Sequence, residues 1–181
     1  MIMPFESALV VLIPEAESLV KSFRDRYDPS AAVGVPAHVT ILYPFKPPNE
    51  LTADVITTLR DLFSRQRSFH ISLQELQGFP DILYLAPMPA EPFRLLTETI
   101  VGSYPETPPY GGAFKEIVPH LTVAQANDIQ RLDEIAAEFH AAARKKLPIY
   151  ARVNTVSLID NSNGSWKVRT QFSLGSDQQA S

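Results

Sequence analysis

A short pattern occurs twice in this chain, His38-Val39-Thr40-Ile41 and His120-Leu121-Thr122-Val123, about eighty residues apart. Val, Ile and Thr favour a pleated surface, and polar and apolar residues alternate with period two, so each copy reads as a β-strand. Alternation places His and Thr on one face. Val39 and Ile41, or Leu121 and Val123, take the other, so each strand can bury one side while presenting an imidazole and a hydroxyl roughly 6 to 7 Å apart. Both copies closely follow a proline, Pro36 and Pro119, and both lie shortly before a stretch with helical character. Two such strands side by side would form a symmetric site.

With 181 residues, 45% hydrophobic and 20% charged, the chain can build one well-buried domain or two small lobes sharing an interface. A formal net charge of −4 argues against duplex DNA or a membrane surface as partner. A small nucleotide or a nucleic-acid terminus is the ligand class left open. There is no cysteine, which excludes disulfides, thiolate metal sites and a cysteine nucleophile, and fits a cytoplasmic location. The apolar run Ala8 to Ile13 is too short to span a bilayer and follows Glu6 rather than a basic segment, so it reads as a buried central strand.

Pattern and punctuation predict a strand over Ser7 to Ile13 and a helix from Pro14 to about Tyr27, then a small-residue loop and the first motif strand. A helix over Thr52 to Gln66 and strands near Phe69 to Leu76 and Ile82 to Leu85 complete a first half. The second half runs through a helix near Pro92 to Tyr104, the second motif strand and a helix from Ile129 to Lys145. Two last strands, Ile149 to Ile159 and Ser165 to Leu174, are joined by the turn residues Asp160 to Gly164. This order predicts an α+β, bilobal fold in which two similar sheet lobes, covered by helices, each bring one motif strand to a central cleft. Residues 1–175 are expected to form this single domain and 176–181 a flexible tail.

Two imidazoles facing one cavity suit an in-line phosphoryl displacement. One takes a proton from the attacking water or hydroxyl while the other protonates the leaving oxygen, and each Thr hydroxyl can donate to a non-bridging oxygen. Typical gains of ~100- to 10,000-fold per acid or base let the pair work without a metal or other cofactor. No Asp, Glu or third His stands at ligand spacing beside His38 or His120. His70 and His140 lack a Thr two residues on, and His140, on a helix, reads as facing solvent or a partner carboxylate.

The segments His38 to Phe45 and Pro119 to Gln125, with the hydrophobic opening strand and the closing Gly164-Ser165-Trp166-Lys167, resemble the two-histidine (2H) phosphoesterase superfamily, the 2'-5' RNA ligase-like proteins. The resemblance rests on the pair of His-hydrophobic-Thr-hydrophobic motifs. It implies a bilobal fold and metal-independent action on 2',3'-cyclic phosphates or 2'-5' linkages of RNA ends or nucleotides. It implies His38 and His120 as acid and base, in an order left open, with Thr40 and Thr122 as phosphate binders. Many relatives carry Arg or Tyr five positions after the second motif His. Here Gln125 stands there, with Tyr43 at the matching place in the first half, which leaves a less cationic phosphate pocket.

Further substrate contacts are sought in Tyr43, Gln125, Tyr110 and Lys167. Tyr110 belongs to a Pro- and Gly-rich loop, Tyr104 to Gly112, that reads as a connector or as a base-stacking lid. Lys167 and Arg169 share a strand face, and Arg152 lies on the strand before it, so any of them could meet a phosphate; solvation is their simpler role. Hydrolase and ligase directions share one site by microscopic reversibility. A non-catalytic RNA- or nucleotide-binding module that retains the cleft is the alternative, and a monomer is expected.

Overall fold

A computed structural model describes residues 4–176. Its eight strands form two four-stranded antiparallel sheets. In the first, β1 (Ser7–Leu12) lies between β2 (His38–Leu42) and β7 (Thr155–Asp160), and β8 (Lys167–Ser173) closes the far edge. In the second the order is β5 (Leu121–Gln125), β4 (Ile82–Met88), β3 (Phe69–Gly78) and β6 (Ile149–Val153). The run Ala8 to Ile13 is the buried central strand that its apolar character predicts, with Leu9, Val10 and Val11 no more than 1% exposed.

Each motif strand is therefore the edge of its sheet, and the two edges meet. Helices cross between the sheets to cover them. Helix α1 (Glu17–Tyr27) leaves the first sheet and packs on β5 of the second; α4 (Glu91–Ser103) leaves the second and packs on β2 of the first. The buried Thr97 hydroxyl of α4 donates to the Ile41 carbonyl at 2.7 Å, tying that helix directly to the first motif strand. A short α2 (Pro29–Ala32) is capped by Asp28 within the small-residue loop. Helix α3 (Ala53–Ser64) covers β8, and α5 (Ile129–Ala143) packs on β4, β5 and α1. One continuous apolar cluster runs through both sheets, from Leu9 and Phe172 to Leu85 and Phe139.

Two expectations need correction. The lobes are not sequence halves: β3 and β4 pair with β5 and β6, while the first sheet is made by the two ends of the chain, β1 and β2 with β7 and β8. The stretch Ile149 to Ile159 is two strands on different sheets. β6 buries alternate residues and leaves Tyr150 and Arg152 outside, whereas Val156 to Asp160 of β7 are all buried. Between them Asn154 leaves both ladders, and its carbonyl accepts the Leu174 amide at 2.9 Å. No Gly or Pro marks this crossing. Helix bounds differ by a few residues at most, and Pro14–Ala16 forms a 3-10 turn leading into α1. The chain end is tied down as far as Gly175, whose amide donates to Gln66 and whose carbonyl accepts from Ser68. Ser176 is exposed, and the rest of the expected tail lies outside the described residues.

Candidate active site

The motif strands take the register their patterning demands. Val39, Ile41, Leu121 and Val123 are 1% exposed or less, while His38, Thr40, His120 and Thr122 are half-buried on the opposite side. Burying each of those apolar side chains stabilises by ~1.5 to 3 kcal/mol. A one-residue slip would expose all four and bury the polar set instead, so the packing that folds the strands also aims the histidines.

His38, Thr40 and Thr122 line one cleft of about 870 Å³, together with Tyr43, Tyr110 and Gln125. His120 stands close enough to His38 to act on its charge. Its ring meets Phe79 and Tyr84 edge-on at 5.4 and 5.6 Å. Both imidazoles are held in the same way: Nδ1 of His38 lies 2.7 Å from the Pro36 carbonyl, and Nδ1 of His120 lies 2.7 Å from the Val118 carbonyl, each two residues upstream. A carbonyl only accepts, so each Nδ1 carries the proton and each Nε2 presents a lone pair.

Burial pushes the His38 imidazole down from 6.5 to about 4, helped by Arg24 and His120 and opposed by its carbonyl bond and Asp28. The ring keeps some surface open to the cleft, yet protein packs closely enough around it to strip most of its hydration. His120 is lowered for the same reason. Both are neutral at pH 7.

Behind His38 lies a support that the sequence did not advertise. Arg24, 2% exposed, donates through Nε to Asp28 at 2.9 Å and through a terminal nitrogen to the Val35 carbonyl at 2.9 Å. Glu17 accepts the Ala37 amide at 2.7 Å. These bonds fix the segment entering β2, and they spend the Arg24 charge on structure rather than on the cleft.

The Tyr43 hydroxyl donates to Glu6 at 2.7 Å, and burial, with Glu6, pushes it up to about 12. Tyr43 meets Tyr110 and Trp166 edge-on at 6.5 and 6.2 Å, forming an aromatic wall. The Tyr104 to Gly112 loop is pinned there, because the Tyr110 amide donates to the Tyr43 carbonyl at 2.6 Å. Tyr110 adopts φ 51°, a left-handed conformation rare for a residue with a side chain, and this turns it toward the cleft. Its phenol is raised by burial, against the effect of the adjacent Thr40 hydroxyl.

Lys167 does not join these residues. It is exposed on β8, and Trp166, one position earlier, takes the place in the cleft lining. Arg169 pairs with Asp160 at 3.2 Å and Arg152 bonds Ser68, both away from the lining. His70 and His140 are exposed on β3 and α5. Glu6 and Asn161 are cleft residues with no sequence signal of their own; the sheet brings them there from 155 positions apart. Among the described residues no three His, Asp or Glu side chains cluster as a metal site.

The 2'-5' RNA ligase superfamily model matches residues 13–165, from the end of the first strand to the closing turn. The chain belongs to that family. Among curated relatives of this 2H phosphoesterase, a provisionally named phosphoesterase of Bacillus pumilus is 29% identical over 93% of this chain and 97% of its own. A second, from Bacillus licheniformis, is 26% identical over 92% and 97%. Among solved structures, a Thermus thermophilus protein superposes with TM-score 0.61 at 20% identity, over 95% of this chain and 99% of its own. E. coli LigT, crystallised with NADP+, gives TM-score 0.57 at 17% identity over 96% and 99%. At these identities the superpositions establish the shared bilobal fold. The family match and the names of these relatives support a phosphoesterase.

Proposed function

We propose that this protein is a metal-independent phosphodiesterase that opens 2',3'-cyclic phosphates or cleaves 2'-5' linkages of nucleotides or RNA ends, with His38 and His120 as its proton-transfer pair. The observation that carries the reading is the matched pair of imidazoles, each fixed through Nδ1 by a carbonyl two residues upstream on adjoining sheet edges. One of the two imidazoles, both kept neutral by burial, takes the water proton at Nε2. The arriving phosphate anion favours protonation of the other, which delivers a proton to the leaving oxygen. Thr40 and Thr122 donate to the non-bridging oxygens as charge grows there. Tyr43, Tyr110 and Gln125 contact the rest of the substrate.

E. coli LigT has been crystallised with 3'-AMP and with NADP+, which supports a nucleotide-sized ligand here. The lack of cysteine supports a cytoplasmic setting, and we take the protein to act as a monomer. With a hydroxyl in place of water, the same geometry serves ligation. The experiment is turnover on a panel of 2',3'-cyclic nucleotides, 2'-5' dinucleotides and cyclic-phosphate-ended RNA, with products identified by phosphorus NMR. A single phosphomonoester isomer from the cyclic substrates is the expected result. Calorimetric nucleotide binding without turnover of any of them would replace the enzyme with a non-catalytic nucleotide-binding module.

A further inference from the structure

Among the described residues, the ionisable acids lining the cleft are Glu6 and Asp28, and no Lys or Arg lines it. The two acids are not equivalent. Asp28 is buried against Arg24 at 2.9 Å, so that pair adds little net charge. Glu6 accepts the Tyr43 hydroxyl at 2.7 Å, and its amide donates to Asn161 Oδ1 at 2.7 Å; neither partner is cationic. His38 and His120 are both neutral at pH 7. Before a phosphate arrives, the cleft lining thus carries about one negative charge. Its walls include Val10, Val35, Ile82 and Ile159, and apolar walls screen that charge less than water does.

We infer that Glu6 is a charge selector: the cleft accepts a small phosphodiester bearing one negative charge and turns away doubly charged phosphomonoesters, including its own product. The inference rests on the phosphodiesterase reading above and specifies its substrate class, a nucleoside 2',3'-cyclic phosphate without a further terminal phosphate. In hydrolysis the water oxygen bonds phosphorus as one ring P–O bond breaks. One water proton ends on the freed hydroxyl and the other on the phosphate. The resulting monoester loses that second proton with a pKa near ~6, so the product carries one more negative charge than the substrate. Repulsion from Glu6 is then stronger on the product than on the substrate, favouring product release and limiting product inhibition.

The test compares two ligands of one nucleoside at pH 8, the 3'-monophosphate and its methyl diester. Each is measured as a competitive inhibitor of 2',3'-cyclic nucleotide hydrolysis and, separately, as a ligand by calorimetry. The diester should bind about 5- to 30-fold more tightly, the order expected for one added unit charge acting across a partly solvated cleft. Glu6→Gln, with Glu6→Ser as a second neutral variant, should shrink that preference to under about twofold by strengthening monoester binding. Tyr43→Phe removes the hydroxyl bound to Glu6 but leaves the charge, and should keep the wild-type preference. Equal affinities in the wild type, an unchanged preference in both Glu6 variants, or a loss in Tyr43→Phe matching theirs would each overturn the inference. Calorimetric preference intact without hydrolysis of any cyclic nucleotide would instead overturn the phosphodiesterase reading and leave charge selection standing.

Discussion

Acid should destabilise this protein through His38. Its folded-state pKa is lowered from 6.5 to about 4 by burial, so on acidification the unfolded chain takes up a proton before the folded one does. The stability that His38 contributes is present above pH 6.5 and is lost as the pH falls toward 4. Between pH 7 and 5 full linkage would cost about 2 kcal/mol. Part of the ring faces the open cleft, where water screens the new charge, which reduces the cost to about 1 kcal/mol. For a chain of this size that is a fall in Tm of about 2 to 4 °C. The assay is thermal unfolding at pH 7, 6 and 5 for the wild type and His38→Gln. Carboxylates and His120 titrate in both proteins, so the difference between the two Tm curves isolates His38. The wild type should lose about 2 to 4 °C more than the variant across that window. Parallel curves would refute the claim that the ring is held neutral by its surroundings.

Thr97→Val keeps the shape of a buried side chain but leaves the Ile41 carbonyl without the hydroxyl that lies 2.7 Å away. It should cost ~1 to 2 kcal/mol in denaturant unfolding, and an unchanged midpoint would remove α4 from the support of the motif strand. Gly175→Ala would set a Cβ 2.6 Å from the Ser64 carbonyl oxygen. Unfolding curves should show a loss of ~1 to 3 kcal/mol, and wild-type stability would show that the terminal tie relaxes freely. Turnover should survive exhaustive chelation; loss of activity restored by one divalent ion would favour a metallo-hydrolase.

The motifs were legible because burial and chemistry coincide in them. Val39, Ile41, Leu121 and Val123 fix the strands to the core, and alternation then leaves no choice of face for His38, Thr40, His120 and Thr122. The long helices were equally plain, with Leu132, Ile135 and Phe139 buried along α5. The pairing of strands was not. Which sheet receives β3 or β7 depends on contacts across most of the chain, and the apolar run around Asn154 carries no turn residue at the point where it changes sheets. The same distance hid Glu6 and Asn161, which meet only through the β1–β7 pairing. Arg24 was invisible for another reason: on a helix surface pattern an Arg reads as solvated, and only the fold shows it buried behind His38. Cationic chemistry points to Lys167, but it is Trp166, in the segment that leads into β8, that lines the cleft.

The central claim is that His38 and His120 act as one unit on one phosphate. Its most direct test is the rate of 2',3'-cyclic nucleotide hydrolysis in His38→Ala, His120→Ala and the double variant, each confirmed as folded by its melting curve. Each single change should slow turnover by ~100- to 10,000-fold, and the double variant should be scarcely slower than the worse single one, because groups sharing one displacement are strongly non-additive. A stable single variant with near-normal turnover, or losses that multiply in the double variant, would contradict the paired mechanism.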